Sequence, residues 1–302
     1  MTKTDQQEKL NKLIKLASWA SVFVAIVLLL MKIYAWFSTD SIGVLASLVD
    51  SLLDLLASLI NMFAIRYAMV PADDEHRFGH GKAESLAGLG QALFISSSAL
   101  FLIVFSIERL VNPSDLRAID VGSIVVGLSI LLTFALVAFQ RYVAHKTGSL
   151  AIKADSLHYA SDLLSNAGIL VGLVLYQQGF VQADPIIALG IGIYIFKSAY
   201  EIGDEAIHHL LDHELPEDEQ TKIIEIASRP EEVLEVHELR TRQSGRTKFV
   251  QLHVVLHGAT PLNKAHAISD KIELALESAF RDLDVLIHLD PHTEAVSEIE
   301  KV

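Results

Sequence analysis

Val44-Leu-Ala-Ser-Leu-Val-Asp50-Ser-Leu-Leu-Asp54-Leu-Leu-Ala-Ser-Leu59 is an apolar run that carries carboxylates in its middle. A second stretch, Asp155-Ser-Leu-His158-Tyr-Ala-Ser-Asp162-Leu-Leu, leads into another apolar run and repeats the spacing with one imidazole. Residues four apart lie on one face of a helix, one turn above each other. A charge at the centre of a bilayer costs at least about 2.5–3.5 kcal/mol, so an ionisable side chain there is a functional-site hypothesis by default. Asp50, Asp54, His158 and Asp162 therefore point to one polar site inside a helical bundle.

The rest of the chain supplies the bundle. Its 302 residues are 51% hydrophobic, with a mean hydropathy of +0.40. A helix needs about 20 apolar residues to cross about 30 Å of hydrocarbon. Six runs qualify: Leu16–Phe37, Ile42–Tyr67, Ser85–Leu110, Val121–Val143, Ala160–Gln177 and Pro185–Ile207. The second and fifth are interrupted by the charged pairs, and a plain hydropathy window would demote both. The first run is too long for the apolar core of a cleavable leader and lacks a small-residue cleavage pattern, so none is expected.

Lys3, Lys9, Lys12 and Lys15 precede the first run, Arg66, Arg77 and Lys82 follow the second, and Arg141, Lys146 and Lys153 follow the fourth. The opposite connections hold only Arg109 and Arg117. The positive-inside rule then places both termini in the cytoplasm. The chain has no cysteine, so thiolate ligands and disulfides play no part. The net charge of −13 is concentrated after Glu201, where the apolar runs stop. That argues for a soluble tail and against nucleic-acid binding, which needs a basic face.

The boundary is expected near Leu211-Asp-His-Glu-Leu-Pro-Glu-Asp-Glu219, giving a membrane domain over 1–209 and a cytoplasmic domain over 210–302. In the tail, 217–228 has helical spacing, 233–241 and 248–257 alternate as strands about a Ser244-Gly245 turn, 262–280 is an amphipathic helix, and 284–288 is a third strand. The order αββαβ predicts a small two-layer α/β sandwich. The fold class is thus an α-helical membrane protein with six transmembrane helices followed by an α/β domain.

Three constellations carry chemistry. Asp50, Asp54, His158 and Asp162 offer four O/N ligands, the number tetrahedral Zn²⁺ takes; calcium and magnesium prefer all-oxygen shells of about six ligands or more. The bland alternative is a pair of polar clusters that steady helix packing. It lacks a basic partner within the two runs, except near their ends. Asp73, His76 and His80 share the short connection after the second run; a charged loop at a membrane edge is usually only solvated. His237, His253, His266, His288 and Asp290 are spread through the tail, and Asp290 lies two residues from His288 on the same strand face. A carboxylate beside several imidazoles suits a bridged two-metal site.

Taken together, the two Asp/His-x₃-Asp pairs, the six spans and the histidine-bearing αββαβ tail resemble the cation diffusion facilitator family. The stretches Pro71-Ala-Asp-Asp, Phe78-Gly-His-Gly-Lys-Ala-Glu-Ser85, His237-Glu-Leu-Arg-Thr-Arg-Gln-Ser-Gly245 and Ile287-His-Leu-Asp-Pro291 resemble its bacterial zinc and iron efflux members. The resemblance implies a homodimeric Zn²⁺/H⁺ antiporter of the inner membrane, with a tail shaped like a copper metallochaperone. It implies a transport site at Asp50, Asp54, His158 and Asp162, and a loop site at Asp73, His76 and His80. It implies a binuclear tail site at His237, His253, His266, His288 and Asp290, with Asp290 bridging. Lys82 and Asp212 match an ion pair that stabilises the family's dimer. Leu289 stands where relatives often carry Gln, and His213, His257 and His292 are additional.

Every transport-site ligand binds metal only when deprotonated, so protons and metal compete for the same atoms. The unperturbed imidazole pKa of about 6.5 suits exchange across a bacterial inner membrane. Zn²⁺ is the expected substrate, with Cd²⁺, Fe²⁺ and Mn²⁺ as further candidates, and Zn²⁺ is also the expected structural or regulatory ion of the tail. Metal ions, protons, a second copy of the chain and the lipid bilayer are the expected partners; no enzymatic activity is expected. A membrane metallohydrolase would need an open metal position and a general base. A membrane-bound sensor that does not transport would have no use for carboxylates at bilayer depth.

Overall fold

A computed structural model of the chain describes residues 3–39, 42–112, 123–180 and 182–292. Arg117 and the expected start of the fourth span at Val121 lie outside the described residues. The chain divides into two compact units, Met1–Ile207 and His208–Val302.

The first unit is built from α1 (Lys3–Thr39), α2 (Ile42–Ala68), α3 (Lys82–Val111), α4 (Ser123–Thr147), α5 (Leu150–Gln177) and α6 (Ala183–Leu210), the last of which reaches into the second unit. Among the described residues, five of these helices are long and apolar enough to cross a membrane. The remaining helix, α5, carries Asp155, His158, Asp162 and Asn166 along its length. It starts ten residues before the expected Ala160 and is 28 residues long, about 42 Å at 1.5 Å per residue. The demotion expected for α2 does not occur: Asp50–Ala68 still qualifies despite Asp50 and Asp54.

Large apolar side chains point outward on these helices, Phe23, Ile60, Phe101 and Leu131 among them. In water that surface would be unfavourable; against lipid it is the expected exterior. Inward, small residues let the helices approach closely, as membrane packing favours. Ile14, Ala17, Ile65, Val143, Ala151 and Ile152 join α1, α2, α4 and α5. Ala92, Ile95, Ala99, Ala154, Ala199 and Ile202 join α3, α5 and α6. A Cβ on Gly192 of α6 would come within 2.8 Å of Ile103 Cγ1.

α5 is common to both packing groups, and its polar residues are used in holding it. Tyr159 Oη and Ser58 share a hydrogen bond of 2.8 Å. Asn61 Nδ2 donates to the Ala151 carbonyl at 3.2 Å. Asp155 is 1% exposed and accepts from Ser21 Oγ of α1 at 2.5 Å, Gln91 Nε2 of α3 at 3.2 Å and Gln140 Nε2 of α4 at 2.6 Å. The Glu84 carboxylate of α3 accepts from Ser149 Oγ and, at 3.4 Å, from the Ala151 N–H at the start of α5, where unsatisfied helical donors favour an anion.

The second unit contains α7 (Glu217–Ala227), β1 (Val233–Ser244), β2 (Thr247–His257), α8 (Leu262–Ala279) and β3 (Leu283–His292), the αββαβ order read from the sequence. The sheet order is β1-β2-β3, with β1/β2 antiparallel and β2/β3 parallel. The parallel pair needs a crossover, and α8 supplies it. Ile223, Ile226, Leu252, Val254, Leu256, Ile268, Ile272 and Leu276 form the core between helices and sheet. Alternation along β2 leaves Gln251, His253 and Val255 on the opposite, uncovered face.

Candidate metal centres

The i, i+4 spacing on α5 and the packing of α5 against α2 converge on one point. Single ligand atoms from Asp54, His158 and Asp162 lie within 4.8 Å of one another. His158 is 4% exposed, and its Nε2 lies 3.1 Å from Asp54 Oδ1. The distance is that of a hydrogen bond but the angle is not, and this buried nitrogen has no hydrogen-bond partner. A lone pair and a carboxylate oxygen aimed at a shared third atom would leave that arrangement, so the donor set fits a bound cation. The rings of Phe94 and Tyr159 flank the imidazole at 5.8 and 5.3 Å. Asp50 stands one turn away on α2, exposed and outside this group of three. The expected ligands thus divide three and one.

In the connection between α2 and α3, Asp73, His76 and His80 also place ligand atoms within 4.8 Å. Asp73 Oδ1 accepts from the backbone amides of His76 at 2.6 Å and Glu75 at 3.0 Å, a turn that Asp side chains stabilise. The His76 amide holds the Asp73 carboxyl below the usual carboxylate range. His80 Nε2 lies 3.4 Å from Asp73 Oδ2, and His80 Nδ1 is 3.2 Å from the Val70 carbonyl. With Nδ1–H donating there, Nε2 carries the lone pair toward Asp73, the usual way a ligating histidine is oriented.

In the second unit, strand register does what sequence separation conceals. His237 pairs with His253 across β1/β2, and His253 with His288 across β2/β3, so the three imidazoles form one row. Asp290 Oδ2 lies 2.8 Å from His253 Nδ1 and 3.5 Å from His237 Nε2. Its Oδ1 lies 3.2 Å from His288 Nε2. One carboxylate oxygen thus faces two imidazoles and the other a third, which suits a bridging role. His266 does not join this row. α8 buries Ala265, Ile268, Ile272 and Leu276 on the covered face of the sheet, and His266 points off that stripe, exposed and 3.5 Å from Asp270. Asp212 lies 3.3 Å from Arg242 within the second unit.

Sequence reasoning passed over two residues. Asp155 lies three residues before His158, a helical spacing that could have marked it. Glu238, 3.6 Å from His253 Nε2 through its Oε2, had no signal in an alternating strand, where it should face the core.

A six-helix unit that gathers Asp54 and Asp162 about the buried His158, followed by an α/β domain with a histidine row, fits a membrane protein that handles metal cations. The chain belongs to the cation efflux family, that of the cation diffusion facilitators: residues 18–211 match its transmembrane domain and residues 215–292 its cytoplasmic domain. It is similar to the cation-efflux pump FieF of Cronobacter sakazakii, at 49% identity over 281 residues, 93% of this chain and 94% of that protein. The FieF of Yersinia enterocolitica is 49% identical over 280 residues, 93% of each. The zinc form of CzrB matches at 38% identity with a TM-score of 0.26, covering 28% of this chain and 96% of that one.

Proposed function

We propose that the chain exports divalent transition-metal cations from the cytoplasm in exchange for protons, with Zn²⁺ preferred and Cd²⁺, Fe²⁺ and Mn²⁺ as weaker substrates. The observation that carries this reading is the buried, unpartnered Nε2 of His158 facing Asp54 and Asp162 inside long apolar helices. Nitrogen beside carboxylate selects a transition metal over harder ions. Each ligand releases a proton to bind metal, so the loaded and protonated states exclude each other. At cytoplasmic pH the deprotonated site takes Zn²⁺; rocking of the helices exposes it to the other side, where protons displace the ion and return inward. Asp50 completes the set in this cycle from its place one turn along α2.

In the same reading the chain works as a homodimer in the bacterial inner membrane, with both termini cytoplasmic, a membrane domain over 1–209 and a metal-binding domain over 210–302. Asp73, His76 and His80 hold metal at the membrane edge. His237, His253, His288 and Asp290 hold Zn²⁺ in the tail, and Lys82 and Asp212 steady the dimer. Inverted membrane vesicles containing the protein should accumulate Zn²⁺ from the medium, and Cd²⁺, Fe²⁺ and Mn²⁺ less. Binding without accumulation would instead identify a sensor that does not transport.

A further inference from the structure

Strand β1 is broken beside the histidine row. His237 pairs with His253, yet the next pair in register is Arg240 with Gln251. Glu238 and Leu239 therefore stand opposite the single residue Leu252, the two-against-one count of a β-bulge. In a regular strand Glu238 would take the face opposite to His237 and enter the core. The bulge lets Leu239 pack against that core instead and keeps Glu238 on the histidine side. Glu238 adopts φ 46° to do so, a left-handed conformation that disfavours any residue with a Cβ. Gly or Asn would relax the backbone at this position, so the carboxylate there calls for a reason beyond the turn.

Its surroundings supply one. His253 is the middle imidazole of the row and has a carboxylate at each ring nitrogen: Asp290 Oδ2 at 2.8 Å from Nδ1, and Glu238 Oε2 at 3.6 Å from Nε2. Arg240 Nη2 lies 3.8 Å from the same Glu238 oxygen and holds the carboxylate over the strand. Nδ1 faces the point shared by Asp290 and His237, so Nε2 is the nitrogen left to carry the proton when a metal binds. A ligating histidine normally donates that second N–H to a carboxylate or carbonyl, which fixes its tautomer and raises its basicity.

We infer that Glu238 is a positioning residue of the tail metal site: the bulge brings its carboxylate to His253 Nε2, fixing the tautomer that directs Nδ1 at the metal. The inference rests on the reading of His237, His253 and Asp290 as metal ligands. It also accounts for the strained backbone, since the bulge delivers a carboxylate to the outer face of the sheet that a regular strand would send into the core.

The test uses the full-length protein in detergent, titrated with Zn²⁺ against a competing fluorescent chelator, with the binding class removed by His253→Ala defining the tail site. Glu238→Gln and Glu238→Gly should retain that class but weaken it about 10–100-fold, the usual effect of losing such a partner. Thermal unfolding of the metal-free protein should not be lowered in Glu238→Gly, since glycine suits the positive φ. Wild-type zinc affinity in either variant overturns the role of Glu238, as does a weakening that merely follows a lowered metal-free midpoint in both. If His253→Ala removes no binding class, the metal-site reading itself fails, an outcome separate from the failure of Glu238 alone.

Discussion

Asp54→Ala removes the acidic neighbour of the buried His158 without touching the loop or tail clusters. Asp54 Oδ1 lies 3.1 Å from His158 Nε2, and the two side chains are 17% and 5% exposed. Water cannot fill in for the lost carboxylate at such a site. Taking one partner from a buried charged pair costs about 3–5 kcal/mol. Removing an anionic ligand from a buried cation is comparable, and each 1.4 kcal/mol is about tenfold in affinity. Zinc binding at the transport site should therefore weaken between roughly a hundredfold and a few thousandfold. Chelator-competition titration in detergent reads this directly, while the classes assigned to Asp73, His76 and His80 and to the tail histidines stay in place. Reconstituted vesicles should show zinc accumulation lost in parallel. An unchanged affinity for the class abolished by His158→Ala, or undiminished transport, would refute the assignment of Asp54.

Further outcomes follow from neighbouring residues. His158→Asp replaces the nitrogen among the clustered ligands with oxygen, so calorimetric titrations should show weaker Zn²⁺ binding and poorer discrimination against Mn²⁺. Asp155→Ala takes the shared buried acceptor from Ser21, Gln91 and Gln140; Ser21 keeps the Ala17 carbonyl and Gln140 keeps Ser21 Oγ, so with Gln91 left unpaired at about 1–3 kcal/mol the detergent-solubilised protein should melt at a lower temperature. Asp73 has a depressed folded-state pKa, so its contribution is present above the ordinary aspartate value of about 3.9 and is lost as pH falls through the lower folded value. Amide exchange at His76 should accordingly stay slow down to about pH 4, and Asp73→Asn should speed it at neutral pH.

The long apolar helices and the tail's element order were legible because each rests on a local period, about 3.6 residues per turn or two per strand repeat. The i, i+4 pairs were legible for the same reason, since a helix converts spacing directly into a shared face. What escaped depends on contacts between elements. The early start of α5 is hidden by Asp155 and His158, which lower its hydropathy; Asp155 is satisfied there by Ser21 of α1, Gln91 of α3 and Gln140 of α4, and His158 faces Asp54 of α2. Asp50 and Asp54 look equivalent in the sequence, but the neighbour that separates them comes from α5. His266 sits in a convincing cluster of tail histidines, yet the apolar stripe of α8 assigns it to the other side of the sheet. Glu238 could not be found at all, because a β-bulge exists only in the pairing of two strands.

The most direct test of proton-coupled export is to record protons and zinc together. Vesicles loaded with a pH-sensitive dye and carrying the reconstituted protein would receive a zinc pulse with no pH gradient imposed. Zinc entry should drive protons out through the same protein, raising the internal pH, and an acid-loaded interior should accelerate zinc entry. Asp54→Ala should abolish both movements. Zinc accumulation at the wild-type rate with no accompanying proton movement and no response to the gradient would contradict the account.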